Sequence, residues 1–499
     1  MPMRGDPEDI LDAFDRLPPG DRSSPERLRD FVASHFYEPG AEFERCKSIS
    51  APSAPPFVAA GGLKDRALRG FALAIHRLWP TLCRVSSRSV LSAPHRTSAL
   101  PRRHAMVLPG GRFRETYYWD SLWIVHGLLA SGMVALAQGL VQNLLNDVSS
   151  FGFVPNGGRI YYLNRSQPPM LHAMVHAVTG YMDGNEEAAW LPGALRGLRQ
   201  EYQWWMNEEN GHLVTVNGHR LNRFYAKWEE PRPESYLEDL VASNGSRRVF
   251  RQLASVAETG WDFSSRWSRE GGSLGSCRYG LGSSEVTQVL PVDLNAIMYS
   301  FERSLAVMSE AVATGARLRS IPRSLGEFRD PEAAAFAAAA ARRRQAFDAV
   351  FWHGRLGRWV DVWMAQSEGP LSFEDISSAR ARAPTLADFA VPLWAGLADA
   401  HMADEAIVAL HNSGLLGKGG ASTTGIASGQ QWDAPNAWPP LQSMLIEGLE
   451  TSGTMGGKKL AIDLARRWVG TCFAAWRSTG FMHEKYNADE YGRGGTGGE

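Results

Sequence analysis

Leu122–Leu145 reads LWIVHGLLASGMVALAQGLVQNLL. The stretch is apolar, rich in small residues and free of proline, which suits one or two buried helices. No run of about 18 uninterrupted apolar residues occurs in it or elsewhere, so no membrane span is expected. Towards the N-terminus, Leu68, Phe71, Ala72, Ile75 and Leu78 recur at helical spacing. Towards the C-terminus the same period runs through Pro169–Thr179, Leu195–Met206, Asp293–Thr314, the alanine-rich Pro331–Phe351, Leu386–Ala400, Ala403–Ser413, Pro440–Glu450 and Lys458–Ser478. Pro331 suits a first helical turn. Strand-like alternation is short, as at Leu213–Val216. The expectation is an all-α chain of about a dozen helices with elaborate loops, packed as a bundle, a solenoid or a closed barrel of helical hairpins. No fixed repeat is present, which argues against a solenoid.

Residues 1–30 are rich in Pro, Asp, Arg and Gly and read as a polar tail with a short helix near Ile10–Phe14. Residues 50–62 are a loop by their proline and glycine content. No deeper break in composition follows, so residues 31–499 are expected to form one domain. The chain has 52 Lys plus Arg against 53 Asp plus Glu, a net charge of −1. That balance offers no field for a phosphate backbone, so a nucleic-acid partner is not expected. Hydrophobic residues make up 44%, enough for a large core. The four cysteines, Cys46, Cys83, Cys277 and Cys472, are scattered without a C-x-x-C pair. They suggest neither a zinc site nor a disulfide framework and are expected to be free. The N-terminus lacks an apolar h-region, so the expected location is cytoplasmic. Oligomeric state is not legible.

Six segments stand apart from the helices: Pro109–Asp120 (PGGRFRETYYWD), Pro155–Pro169 (PNGGRIYYLNRSQPP), Pro231–Tyr236 (PRPESY), Glu258–Trp267 (ETGWDFSSRW), Gln430–Pro440 (QQWDAPNAWPP) and Phe481–Asn487 (FMHEKYN). Each mixes aromatic, amide or charged side chains. Carboxylates and amides exchange hydrogen bonds with hydroxyls, arginine adds a rigid fork of donors, and aromatic rings cover apolar sugar faces. The mixture suits an uncharged sugar. Loop caps and salt bridges are the alternative for any single segment. On residues alone, Asp262 could cap a helix through Ser264–Trp267 and Glu484 could pair with Lys485.

The first and fifth segments resemble the two signatures of the trehalase family of glycoside hydrolases. The other four fall in that family's order, so the resemblance runs from about residue 30 to the end of the sequence. It implies an (α/α)6 toroidal barrel with long active-site loops, and an inverting hydrolase that splits α,α-trehalose into two glucose molecules with no metal or organic cofactor. Matching by motif implies that Asp262 is the general acid and Glu484 the general base. It also implies substrate binding by Arg112, Trp119, Asp120, Asn156, Arg165, Gln167, Arg232 and Glu234, and by Trp432, Asp433, Trp438 and Glu499. Two departures stand out: Leu122 where the first signature usually has tyrosine, and a glycine-rich run, Gly494–Glu499, after which the sequence stops short of the family's further C-terminal segment. Residues 492–499 are therefore expected to be a mobile lid without its far anchor, and turnover is expected to be poor. Two alternatives remain, an inverting hydrolase of another α-glucoside and a sugar sensor without catalysis. A sensor has no need of both Asp262 and Glu484.

Overall fold

The computed structural model describes residues 1–269, 280–321, 328–365 and 383–497. The chain divides into two compact units, Met1–Leu163 and Asn164–Glu499. Both are built mainly of helices, with short antiparallel strand pairs.

In the first unit, the long apolar stretch forms two helices, Ser121–Ala130 and Val134–Phe151, parted by a turn at Gly132 with φ 75°. Val125, Leu128, Val141, Leu144 and Val148 are buried along them. The helix expected around Leu68 runs Arg66–Leu82, capped by Asp65, whose carboxylate accepts from the Ala67 and Leu68 amides at 2.8 and 2.9 Å. Residues 1–30 hold more structure than a polar tail. They form helix Pro7–Asp15 and begin helix Pro25–His35. Asp6 pairs with Arg96 at 2.8 Å and His95 at 2.7 Å, which holds its carboxyl down at about 2.

The free-cysteine expectation fails for one pair. Cys46 and Cys83 form a disulfide across 37 residues, with Cα atoms 5.6 Å apart. The cause is tertiary: strands Phe43–Arg45 and Cys83–Ser86 pair in antiparallel fashion, with Arg45 opposite Arg84, and this sets the two thiols side by side. Cys472 is free and buried, and Cys277 lies outside the described residues. Converting both bridge residues to serine should lower stability by about 4 kcal/mol on the loop-entropy account. Urea unfolding of oxidised, reduced and variant protein checks this; identical midpoints would mean the bridge does not form.

In the second unit, helix Val292–Thr314 is buried along most of its length and packs against Pro331–Val350, Ala387–Trp394 and Gly184–Trp205. Helix Pro439–Thr451 packs against Ala387–Trp394 and Met455–Thr479. The expected strand at Leu213–Val216 pairs with His219–Asn222 through Asn217-Gly218, both at positive φ, the turn chemistry of a two-residue hairpin. Helix Arg247–Glu258 was not anticipated, although Phe250, Leu253, Val256 and Ala257 recur on one buried face. Its C-terminal end delivers the Glu258–Trp267 segment. No helix among the described residues is long and apolar enough to cross a membrane.

Candidate active site

Within the first unit, two of the motif segments lie side by side. The Tyr118 amide donates to the Asn156 carbonyl at 3.1 Å and the Gly158 amide to the Thr116 carbonyl at 2.9 Å. The approach needs the glycine pair: a Cβ on Gly157 would sit 2.8 Å from the Tyr162 ring, and one on Gly158 2.8 Å from Thr116 Oγ1. Arg159 ties the segments further, reaching Glu115 at 3.1 Å and Glu42 at 2.7 Å. This pairing brings Trp119 and Asp120, at the entry to helix Ser121–Ala130, beside the chain that carries Asn156. Trp119 and Asn156 are buried, Asp120 is partly exposed, and Arg112 lies on the exposed loop with its guanidinium 4.7 Å from the Phe113 ring.

Within the second unit, the segments gather around Asp262. Glu258, at the end of its helix, is fully buried and works as a clamp. Its carboxylate accepts from the Ser166 amide at 3.0 Å, the Tyr225 amide at 2.8 Å and His212 Nε2 at 3.0 Å. Burial alone would raise this carboxyl, but His212 and the two amides hold it below its ordinary value. The clamp fixes the Arg165–Gln167 chain against the root of the Asp262 loop. Arg165 and Gln167 are buried, and Arg165 pairs with Glu234. Arg232 forms a two-pronged pair with Asp239 at 2.9 and 2.7 Å and lies 5.3 Å from the Phe263 ring.

Asp262 is partly exposed at the base of these groups. Burial raises its carboxyl to about 6; Arg232 and Arg165 oppose the rise, and the nearby Glu484 charge adds to it. It does not cap the following turn; Ser264 does, accepting from the Arg266 amide at 3.1 Å. Glu484 does pair with Lys485, at 3.5 Å, yet its side chain stays 36% exposed, so the carboxylate still meets solvent. One carboxyl is thus sheltered and biased towards its acid form, and the other is open to water.

The second signature is placed differently from a set of sugar contacts. Trp432 is sandwiched between Trp438, centroids 3.9 Å apart, and Trp261 at 5.4 Å. Trp438 donates from Nε1 to the Gln431 carbonyl at 2.8 Å, and Lys485 Nζ lies 5.1 Å from its ring. Asp433 is fully buried, and its carboxylate takes donors from the protein itself. Sequence reasoning passed over Glu258, Gln431, whose side chain donates to the Asp262 carbonyl, and Arg266, which binds Asp293 and Asp361. All three stood inside the quoted segments; their partners are distant in sequence.

Glu499 lies outside the described residues. Through residue 497, the glycine-rich run is held rather than mobile. The Thr496 amide donates to Asn436 Oδ1 at 2.9 Å, Asn436 Nδ2 donates to the Thr496 carbonyl at 2.7 Å, and the Gly495 amide donates to the Lys485 carbonyl at 2.9 Å. The expectation of a mobile lid is corrected for these residues, because Asn436 supplies a two-way anchor that glycine content could not reveal.

Helices carrying polar loops, with a carboxyl biased towards its acid form near an exposed carboxylate, supply the two kinds of group that a helix-built glycoside hydrolase needs. The trehalase family model matches residues 1–499, and the chain belongs to the trehalase family. It is 37% identical to a probable trehalase of Oryza sativa subsp. japonica over 86% of this chain and 75% of that protein. It is 33% identical to the trehalase of Homo sapiens over 100% of this chain and 81% of that one. In structure it is similar to neutral trehalase Nth1 from Saccharomyces cerevisiae, with a TM-score of 0.61 at 22% identity, covering 78% of this chain and 70% of that one. That likeness shows the fold class expected from the sequence, the all-α toroid.

Proposed function

We propose that Asp262 is the general acid and Glu484 the general base of an inverting glycoside hydrolysis. As a member of the trehalase family, the chain hydrolyses α,α-trehalose to two glucose molecules. The observation that carries the residue roles is the contrast between the two carboxyls. Asp262 is raised to about 6 by burial in spite of two arginines, while Glu484 keeps an exposed carboxylate near enough to act on it.

In this reading, Asp262 gives its proton to the glycosidic oxygen as the bond to the anomeric carbon breaks, and the departing glucose takes that proton. Glu484 removes a proton from water, whose oxygen attacks the same carbon from the opposite face. The Asp262 carboxylate and the protonated Glu484 then exchange with solvent. Room for the water requires the carboxyl groups to stand about 6.5–9.5 Å apart. Arg112, Trp119, Asp120, Asn156, Arg165, Gln167, Arg232 and Glu234 are proposed to bind sugar hydroxyls and faces. Trp432 and Trp438 are proposed to back the site rather than touch the sugar, since each ring face is already engaged within the protein.

Proton NMR of freshly mixed trehalose and protein tests the proposal. Equal initial amounts of α- and β-glucose are expected. The α-anomer alone would mean retention, and no glucose would remove the reading. The pH profile offers a second check. An acid must be protonated to act, so kcat/KM should fall as pH rises through about 6, the value for Asp262. A plateau extending past pH 8 would assign the acid role elsewhere.

Compartment is where the sequence and the structure diverge. The cytoplasmic expectation conflicts with the Cys46–Cys83 bond, because the cytosolic thiol pool keeps such pairs reduced. The bond favours an oxidising compartment. Maleimide blocking of fresh cells before denaturation decides between them: Cys46 and Cys83 labelled means cytosol, unlabelled an oxidising compartment.

A further inference from the structure

Gln431, Trp432 and Asp433 run alongside Trp261–Ser265 and meet them residue by residue, though the chains are about 169 positions apart in sequence. The Gln431 side-chain amide donates to the Asp262 carbonyl. The Trp432 amide donates to the Phe263 carbonyl at 3.1 Å, and its ring stacks on Trp261. Asp433 Oδ1 accepts from the Ser264 hydroxyl at 2.7 Å and the Thr424 hydroxyl at 3.1 Å. Its Oδ2 accepts from the Ser265 amide at 2.8 Å and from the Ser428 hydroxyl. A carboxylate offers about four lone-pair positions, and four donors of the protein fill them. No position is left for a sugar hydroxyl.

We propose that Asp433 is a positioning residue for the general acid, acting with Gln431 and Trp432 as a splint along the loop that carries Asp262. This rests on the assignment of Asp262 as the acid. The splint is itself braced: the Gln431 carbonyl accepts from Trp438 Nε1 at 2.8 Å and Asn436 Nδ2 at 3.0 Å. On the other side, Arg266 anchors the same loop to Asp293 and Asp361. Proton transfer to a leaving oxygen demands a carboxyl held at hydrogen-bond distance, and a displacement of about 1 Å costs on the order of 100-fold. The second signature therefore serves the reaction by fixing the acid's backbone.

The test compares Asp433→Ala and Asp433→Asn with wild type on two substrates, trehalose and α-D-glucosyl fluoride. Fluoride leaves with little protonic help, so its hydrolysis depends less on a well-placed acid. Asparagine can turn its amide so that its oxygen still accepts from the Ser265 amide while the Ser264 and Thr424 hydroxyls accept from its nitrogen. Alanine can do neither. On trehalose, kcat is expected to fall about 100-fold for Asp433→Ala and about 10-fold for Asp433→Asn, with KM within a few-fold of wild type. On the fluoride, each fall should be much smaller. If the alanine variant does not fold, the ratio of the two substrates for Asp433→Asn still decides. Equal losses on both substrates, or a raised KM with kcat intact, would overturn the proposal, the second outcome marking Asp433 as a sugar contact. A failure of the acid assignment looks different: Asp262→Asn would then also leave the two substrates with equal losses.

Discussion

Replacing Asp262 by asparagine should lower kcat/KM on trehalose by about 1,000-fold, near 4 kcal/mol of transition-state stabilisation. An amide of the same shape fits the loop but has no acidic proton to give. The loss should be smaller on α-D-glucosyl fluoride, and the fall in activity through pH 6 should vanish with the group that causes it. Arg232 and Arg165 both favour the ionised form of Asp262, so burial, helped by the Glu484 charge, is what raises this carboxyl to about 6. Steady-state kinetics on both substrates between pH 4 and 9 measure all three effects. A variant within about 10-fold of wild type on trehalose would show that another group protonates the leaving oxygen.

The largest effect on stability is expected at Arg266. Its guanidinium is buried and engages Asp361 at 2.7 and 2.9 Å and Asp293 at 2.7 and 3.0 Å. Its rings of contact are Trp261 and Trp267, 4.5 and 4.4 Å away. Replacing it by methionine fills most of the space but takes from two buried carboxylates the guanidinium that both of them engage. Breaking a buried pair in this way costs about 3–5 kcal/mol, and two acidic partners place Arg266→Met at the upper end, near 5 kcal/mol. Adding Asp293→Asn and Asp361→Asn should recover part of the loss, since the two buried negative charges that the guanidinium offset are then gone. Urea unfolding of the single and triple variants checks this. A triple variant less stable than Arg266→Met would show that packing, and not unpaired charge, sets the cost.

Asp433 and Cys46 show how far sequence could be taken. The QWD run at Gln431–Asp433 was legible as a motif, and with it the family. Its role was not legible, because a buried aspartate that saturates its oxygens with protein donors has the same letter as one that waits for a sugar. The same holds for Cys46 and Cys83: composition described two scattered thiols, and strand pairing placed them within bonding distance. Helix Arg247–Glu258 carried a readable period, but the polar residues around it masked the apolar face.

By itself, the sequence determined the helical class, through apolar residues spaced to fill one face of a helix, and it singled out the two carboxylic groups proposed as acid and base, through the motifs that hold them. Side-chain chemistry and local spacing are properties of the chain and survive without a fold. Tertiary structure alone decided that Asp262 is lifted to about 6 while Glu484 keeps its exposure, that Glu258 and Asp433 are clamps, and that the glycine-rich run is tied to Asn436. Each of these depends on burial or on a partner tens to hundreds of residues away, and neither the dielectric around a carboxyl nor the direction of its donors is written in its neighbours along the chain.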